Sequence, residues 1–174
     1  MDSKPTSNMA TITLLGNKIQ TIGELPKVGE KAPDFILATL DLSRKTLADF
    51  SGQRLVLNIF PSIDTGTCAA SVRKFNEEAA NLMNTKVLCI SKDLPFAQAR
   101  FCGAEGIKNV VLLSDFATGD FGKDYALEVV NGPMSGLHSR CVIILDKNRF
   151  VTYTQQVAEV TKEPDYESVL NALQ

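Results

Sequence analysis

The chain has 174 residues, of which 44% are hydrophobic and 22% charged, values typical of one soluble globular domain. Its net charge of −2 includes no basic block, which argues against a nucleic-acid or anionic-membrane partner, and no apolar run approaches the roughly 20 residues of a membrane span. A single histidine and the lack of a Cys-x-x-Cys pair leave no usual zinc spacing, so neither a metal nor another cofactor is expected.

We expect no secretion signal at the N-terminus. Residues 1–10 are polar and lack an apolar segment followed by a cleavage site. We therefore expect a cytoplasmic protein with a flexible segment at residues 1–9 and one domain at residues 10–174. The four cysteines fit this compartment, since stable disulfides are rare there and those that form tend to be catalytic.

Before residue 54 the sequence predicts three small elements. The turn signal Gly16-Asn17 lies between two short runs and indicates a β-hairpin. A loop then leads to a short strand, and one helical turn ends near Gly52. In residue numbers, the hairpin strands are 11–15 and 18–22, the loop 26–33, the short strand 35–38 and the helical turn 46–50.

From residue 55 onward strands and helices alternate. The apolar run at 55–60 is typical of a strand covered on both faces, and a helical spacing of apolar residues follows at 69–83. The remaining predicted strands are 86–91, 110–113, 141–145 and 150–155, and the remaining helices are 95–102, stopped at Gly103, and 165–173. This order predicts an α/β protein of thioredoxin-like fold, with a central mixed β-sheet flanked by helices and an added N-terminal β-hairpin.

Cys68 occupies the most informative position in the chain. It follows the strand at 55–60 at the start of the next helix, where unpaired backbone N–H groups and the helix dipole stabilise a thiolate. The thiolate is the reactive form of cysteine. The same position also suits a small buried hydrophobic residue, as free cysteines often are. Position alone does not separate these two interpretations.

The residues around Cys68 resemble a known active-site pattern. Pro61, Thr65 and Cys68 form Pro-x-x-x-Thr-x-x-Cys, which is similar to the active-site pattern of the peroxiredoxins. The wider segment resembles one branch of them, the bacterial thiol peroxidases, which are atypical 2-Cys peroxiredoxins. Residues 93–98 (DLPFAQ) and 100–106 (RFCGAEG) resemble the same branch.

This resemblance extends from about residue 10 to the C-terminus and implies a function. It implies a thioredoxin-dependent peroxidase that reduces hydrogen peroxide and organic hydroperoxides, prefers the organic ones, and forms a homodimer. By the same resemblance Cys68 is the peroxidatic cysteine and Cys102 the resolving cysteine, and the two pair within one subunit. Oxidation makes Cys68 a sulfenic acid, with which a second thiol condenses to a disulfide.

Three further residues are expected to act beside Cys68. The Thr65 hydroxyl is expected to face the sulfur and a bound peroxide, to cap the helix, or to do both. Pro61 removes a backbone donor and shields the sulfur from water. Arg140 opens a predicted strand, where it either reaches solvent or is buried and paired; the resemblance aligns it with an arginine that stabilises the thiolate and orients the peroxide.

The other two cysteines are poorer candidates for the resolving residue than Cys102. Cys89 and Cys141 lie inside predicted strands and are expected to be unreactive core residues, whereas Cys102 precedes Gly103 and Gly106, where the chain rearranges at low cost. Disulfide formation is expected to require local unwinding around Cys68 and Cys102.

Residues outside the motif are expected to be peripheral. We expect His138, in a Gly-rich loop, to be exposed, and Arg73 to lie on the solvated face of the Cys68 helix. Met134 and Leu137 in that loop indicate an alkyl-binding surface.

The sequence argues against two other function classes. A disulfide oxidoreductase or redox relay of the same fold normally carries Cys-x-x-Cys, but Ser71 stands three residues after Cys68 and Thr65 three before. A binding domain with incidental thiols would require the motif spacing to arise by chance. A sibling peroxidase branch places its resolving cysteine five residues after the first, where this chain has Arg73.

Overall fold

The computed structural model describes residues 8–174, and it begins with a separate two-stranded hairpin. Strands β1 (Thr11–Leu14) and β2 (Asn17–Gln20) pair antiparallel. The turn is Leu15-Gly16, one residue earlier than predicted, because these are the two residues with positive φ, as a tight hairpin turn requires. The predicted flexible segment lies mostly at residues 1–7, outside the described residues.

The main sheet has seven strands in the order β4-β3-β7-β6-β5-β8-β9. Strands β5, β6 and β7 are parallel, and the outer strands join them antiparallel, so the mixed sheet is as predicted. The strands are β3 (Leu37–Ala38), β4 (Arg44–Lys45), β5 (Arg54–Ile59), β6 (Thr85–Ser91), β7 (Val111–Ser114), β8 (Cys141–Leu145) and β9 (Val151–Gln156). The helices are α1 (Gly66–Ala79), α2 (Pro95–Glu105), α3 (Asp120–Asp124) and α4 (Tyr166–Asn171), with a 3₁₀ turn at Leu47–Phe50.

Both faces of the sheet are covered, which explains the unbroken apolar run of β5. Leu55 and Leu57 of this strand pack in one core with Phe121 of α3. Val56, pointing to the other face, packs in a second core with residues of α1 and α4. Both cores surround the strand whose carboxyl end leads to Cys68, so that end is held rigidly.

Several helix boundaries differ from the prediction, and α4 is shorter than expected at both ends. Helix α1 begins at Gly66 and ends at Ala79, and Met83, which was expected within it, is 85% exposed. Helix α2 runs through Gly103 to Glu105 and ends at Gly106, which has a φ of 66°. The stop is at Gly106 because a left-handed residue ends this helix, whereas Gly103 is helical. Cys102 therefore lies inside α2 rather than at its end.

Two elements were not predicted, β4 and α3, because each is too short for a periodic pattern. Among residues 8–174, none of the helices combines the length and apolar character that a bilayer span demands.

Candidate active site

Cys68 lies in the first turn of α1, directly after β5 and the loop that follows it. Thr65 is the N-cap of α1, and its hydroxyl accepts the Cys68 N–H at 3.2 Å. The same hydroxyl donates to the carbonyl of Ser62 at 3.3 Å. Of the two roles expected for Thr65, the structure therefore shows the helix cap, which places the Cys68 sulfur at the positive end of α1.

Arg140 supplies a cation to the Cys68 sulfur. Its Nη2 lies 3.4 Å from Cys68 Sγ, and its Nε donates to the carbonyl of Val160 at 2.9 Å. Arg140 is only 2% exposed, so of the two alternatives for this residue the buried and paired one is found, and a side chain reaching solvent is not. The fold explains the contact, because β8 pairs with β5 and Cys141 stands opposite Ile59, which brings the residue before β8 to the end of β5.

The site is closed to solvent in this conformation. Cys68 is 0% exposed, and Pro61 is also buried. Arg140 Nη1 is buried and has no hydrogen-bond partner among the described residues. A buried donor without an acceptor is costly, and here it lies on the same guanidinium that contacts the sulfur. The site thus offers a free donor beside a cysteine in a water-poor environment.

Cys102 is the most accessible of the four cysteines, all of which are free thiols. It is half-buried in α2 and packs against the same core as Cys68. Burial raises the pKa of the Cys102 thiol. Its other side lines an open cavity of about 470 Å³ that Lys45, Leu40 and Val111 also line.

Cys89 and Cys141 are buried in strands, as predicted. Burial raises the pKa of each thiol to about 12, despite hydrogen bonds to Cys89 from Asn58 and to Cys141 from Ser139. Both are therefore protonated at neutral pH, which makes them poor nucleophiles.

His138 differs most from its predicted environment. It is fully buried, and its Nε2 lies 2.9 Å from Asp115 Oδ2. The expectation of an exposed residue is wrong because the loop before β8 folds against α3, where Phe121 N–H and Gly122 N–H also bind Asp115. One histidine in a polar loop carries no sequence signal for such a partner.

The remaining peripheral residues are placed as follows. Arg73 is exposed, as predicted, and pairs with Glu105 of α2 at 3.4 Å. Met134 packs against the small core under the N-terminal hairpin, and Leu137 is partly buried. Their apolar surface is thus used partly in packing.

One residue beside the site was missed. The Asp93 carboxylate binds the N–H of Ile63 at 2.7 Å, within the loop that leads to Cys68. A signal was available, because Asp93 follows β6, and the carboxyl ends of parallel neighbours such as β5 and β6 meet at one edge of the sheet.

The comparisons with known proteins agree on one family. A family model described as Redoxin matches residues 27–170. The chain is 53% identical over 165 residues to a thiol peroxidase of Corynebacterium glutamicum, covering 95% of this chain and 99% of that one.

Solved structures give the same picture. A peroxiredoxin-like protein from Aquifex aeolicus superposes with a TM-score of 0.90 at 38% identity, over 96% of this chain and 98% of that one. A thiol peroxidase from Chromobacterium violaceum superposes with a TM-score of 0.87 at 24% identity, over 94% and 95% of the two chains, which shows a shared fold.

Proposed function

Since the chain belongs to the Redoxin family and is a peroxiredoxin enzyme, we propose that it reduces hydrogen peroxide and organic hydroperoxides at Cys68 and resolves the product with Cys102. The observation that carries this proposal is the Arg140 Nη2 to Cys68 Sγ distance of 3.4 Å at the start of a helix. The guanidinium and the helix N-terminus both favour the thiolate, which is the attacking species.

The first step is a displacement at oxygen. The Cys68 thiolate bonds to one peroxide oxygen, the O–O bond breaks, and the other oxygen leaves with the bonding electrons and takes a proton to become water or an alcohol. Arg140 Nη1, which has no partner among the described residues, is available to a peroxide oxygen. A donor already in place costs no reorganisation when charge develops on the leaving oxygen.

Thr65 and Pro61 complete the site. Thr65 holds the first turn of α1 through its cap, and we assign its hydroxyl a second contact with the bound peroxide. Pro61 has no N–H to bind water, which helps to keep the sulfur dry. Because Cys68 is 0% exposed, peroxide entry requires a small displacement of the surrounding loops.

The second step joins Cys68 to Cys102. The Cys102 thiol attacks the Cys68 sulfenic acid, forming a disulfide and releasing water. Cys102 suits this role because it is the one cysteine of the four that is not fully buried. Since the two cysteines lie on different helices, α1 and α2 have to unwind locally to bring their Cα atoms within about 4.4–6.8 Å. Gly103 lowers the cost of unwinding α2, since glycine disfavours a helix interior by about 1 kcal/mol relative to alanine.

The cycle closes with an external dithiol. We propose thioredoxin in the cytoplasm as the reductant, which would return both cysteines to thiols while becoming a disulfide itself. We also propose a homodimer. Leu94 and Phe96 after β6 and Phe116 after β7 are 52%, 67% and 40% exposed, and such apolar residues at one end of the sheet suit a subunit interface.

The experiment that tests the function follows thioredoxin thiols during addition of hydroperoxide. We expect two thiols lost for each hydroperoxide reduced, with no loss when peroxide is omitted. A disulfide oxidoreductase would instead consume thiols with a disulfide substrate alone, and that outcome would contradict the proposal. The chain also lacks the second cysteine of such an enzyme. Ser71 occupies that position of the Cys-x-x-Cys motif, and its hydroxyl donates to the Cys68 carbonyl at 2.8 Å.

A further inference from the structure

We propose that Asp93 is a positioning residue that sets the balance between the closed Cys68 site and an opened site in which Cys68 reaches Cys102. This inference rests on the proposed function of the two cysteines and adds a residue that controls the exchange between them. Three observations carry it: which groups the Asp93 carboxylate binds, which groups bind Asp93, and the kind of contact that attaches the other end of α2.

The Asp93 carboxylate binds the loop that leads to Cys68. Its Oδ1 accepts from the Ser62 hydroxyl at 2.7 Å, and its Oδ2 accepts from the Ile63 N–H at 2.7 Å and the Ser91 hydroxyl at 2.6 Å. We call these four residues the Asp93 clamp. Hydrogen bonds to a carboxylate are roughly twice as strong as neutral ones, so the clamp attaches this loop strongly to β6.

Asp93 is itself held by neighbouring elements. Its carbonyl accepts from the Ser114 hydroxyl at the end of β7, and its N–H donates to Ser91 Oγ at 3.3 Å. Gln98 of α2 is fully buried and donates from Nε2 to Ser91 Oγ at 3.3 Å and to the Leu113 carbonyl at 3.0 Å. The clamp therefore ties the Cys68 loop to β6, β7 and the first turns of α2 together.

The clamp acts on the Cys68 turn through the helix cap. The Ser62 carbonyl accepts both the Thr65 N–H at 3.2 Å and the Thr65 hydroxyl at 3.3 Å, and Thr65 caps Cys68. The first turn of α1 consequently cannot unwind toward Cys102 while Ser62 and Ile63 stay in place. Release of the clamp is the step that allows it to move.

The far end of α2 is attached to α1 by contacts of a different kind. Residues 103–106 are exposed, and Arg73 of α1 forms an exposed ion pair with Glu105. Just beyond the helix, the neutral Asn76 side chain of α1 accepts the N–H groups of Lys108 at 3.0 Å and Asn109 at 2.8 Å. Exposed ion pairs contribute little to stability. Hydrogen bonds to a neutral amide are weaker than those to a carboxylate, so we assign the larger part of the barrier to disulfide formation to the Asp93 clamp.

The sulfenic acid has two fates, and the clamp selects between them. In the closed site a second hydroperoxide oxidises Cys68–SOH to the sulfinic acid and leaves as water or an alcohol; in the opened site Cys102 condenses with it and releases water. A tighter clamp favours the first fate and a looser clamp the second. Peroxide attack on the thiolate needs the closed site, so loosening the clamp slows that first step.

The test measures both fates in Asp93→Ala. Rapid acid quenching and mass spectrometry give the rate of Cys68–Cys102 disulfide formation and the fraction of sulfinic acid at increasing hydroperoxide. We expect disulfide formation to accelerate by about tenfold or more, which is the effect of losing one hydrogen bond to a charged group. The hydroperoxide concentration that gives half sulfinic acid should rise by a similar factor, and the first step, measured in a Cys102→Ser background, should slow.

Two milder variants keep the test available if Asp93→Ala does not fold. Ser62→Ala removes one of the three contacts and should shift the two fates in the same direction by a smaller factor. Asp93→Asn keeps one acceptor oxygen and should lie between wild type and Asp93→Ala. An unchanged partition in Ser62→Ala and Asp93→Asn would overturn the proposal.

Asp165→Ala is the matched control. Asp165 is also a carboxylate that accepts one backbone N–H and one hydroxyl, both from Ser168, but it caps α4. It should lower the melting temperature without changing the partition. A wild-type partition in folded Asp93→Ala, or slower disulfide formation with more sulfinic acid, would overturn the role of Asp93. Failure of wild type to form a Cys68–Cys102 disulfide at all would instead overturn the proposed function.

Discussion

Arg140 contacts the Cys68 sulfur across 72 residues of sequence, with Nη2 3.4 Å from Sγ. The contact depends on the pairing of β5 with β8, which sets the start of one strand beside the end of the other. Arg140 is then anchored by Val160 O and buried, so its charge acts in a medium where water does not weaken it.

Replacing the proposed nucleophile should remove turnover. Cys68→Ser is expected to leave no more than a trace of peroxidase activity, because a hydroxyl is not ionised at neutral pH. The measurement is hydroperoxide-dependent loss of thioredoxin thiols. Cys89→Ser is the control, since Cys89 is equally buried but takes no part in peroxide attack in our proposal; substantial activity in Cys68→Ser would contradict the assignment.

Arg140→Ala should reduce the rate of hydroperoxide reduction. Loss of a preorganised donor in a dry site is worth about 10²- to 10³-fold in rate, which stopped-flow kinetics of the first step measures. Arg140→Lys should rescue only in part, because a guanidinium donates in a fixed planar geometry that an ammonium lacks.

Arg149→Ala controls for lost stability in that series. Arg149 also donates to backbone carbonyls, those of Gln53, Leu47 and Phe50, but has no contact with Cys68. It should lower stability and leave the rate of hydroperoxide reduction by the folded protein unchanged. Should Arg140→Ala also leave that rate unchanged, Arg140 has only a structural role.

Cys102→Ser should separate peroxide attack from resolution. We expect rapid consumption of one equivalent of hydroperoxide, no turnover with thioredoxin, and easier oxidation of Cys68 to the sulfinic acid. Wild type treated with one equivalent should show a Cys68–Cys102 disulfide within one chain by non-reducing peptide mapping. A link from Cys68 to Cys89 or Cys141, or one between subunits, would identify a different resolving residue.

Cys89 and Cys141 should resist alkylation in the native protein. Burial raises the pKa of both thiols to about 12, so each stays protonated until the pH rises well above the ordinary thiol range. Mass spectrometry after iodoacetamide treatment at pH about 8, near the ordinary thiol pKa, should find both unmodified, and both modified after unfolding in urea. Rapid native labelling of either would show that its strand opens readily.

His138→Ala should destabilise the protein. It removes the hydrogen-bond partner of a buried Asp115 oxygen, and leaving a buried polar group unsatisfied costs about 1–3 kcal/mol. Urea unfolding measures the loss. Asp115→Asn should also destabilise the protein, because the N–H groups of Phe121 and Gly122 bind different carboxylate oxygens and an asparagine sets an NH2 group against one of them. An unchanged free energy of unfolding in His138→Ala would mean that the pair contributes no net stability.

Local patterns were sufficient for most of the strands and for the helix start. The apolar run of β5 and the Thr65 cap are read from adjacent residues, and both occupy the predicted places. The helix ends were less predictable. Gly103 and Gly106 are the same residue type, and the conformation of each in α2 depends on packing that a single sequence does not display.

The sequence by itself determined the position of Cys68 at a helix start and the family to which the chain belongs, because both depend on residues close together along the chain. The tertiary structure decided the burial of Arg140 against Cys68, of His138 against Asp115, and of Ser62 and Ile63 against Asp93. Each of these contacts joins segments brought together by strand order. Pairing energies between distant strands depend on the whole sheet, so no local spacing reports them.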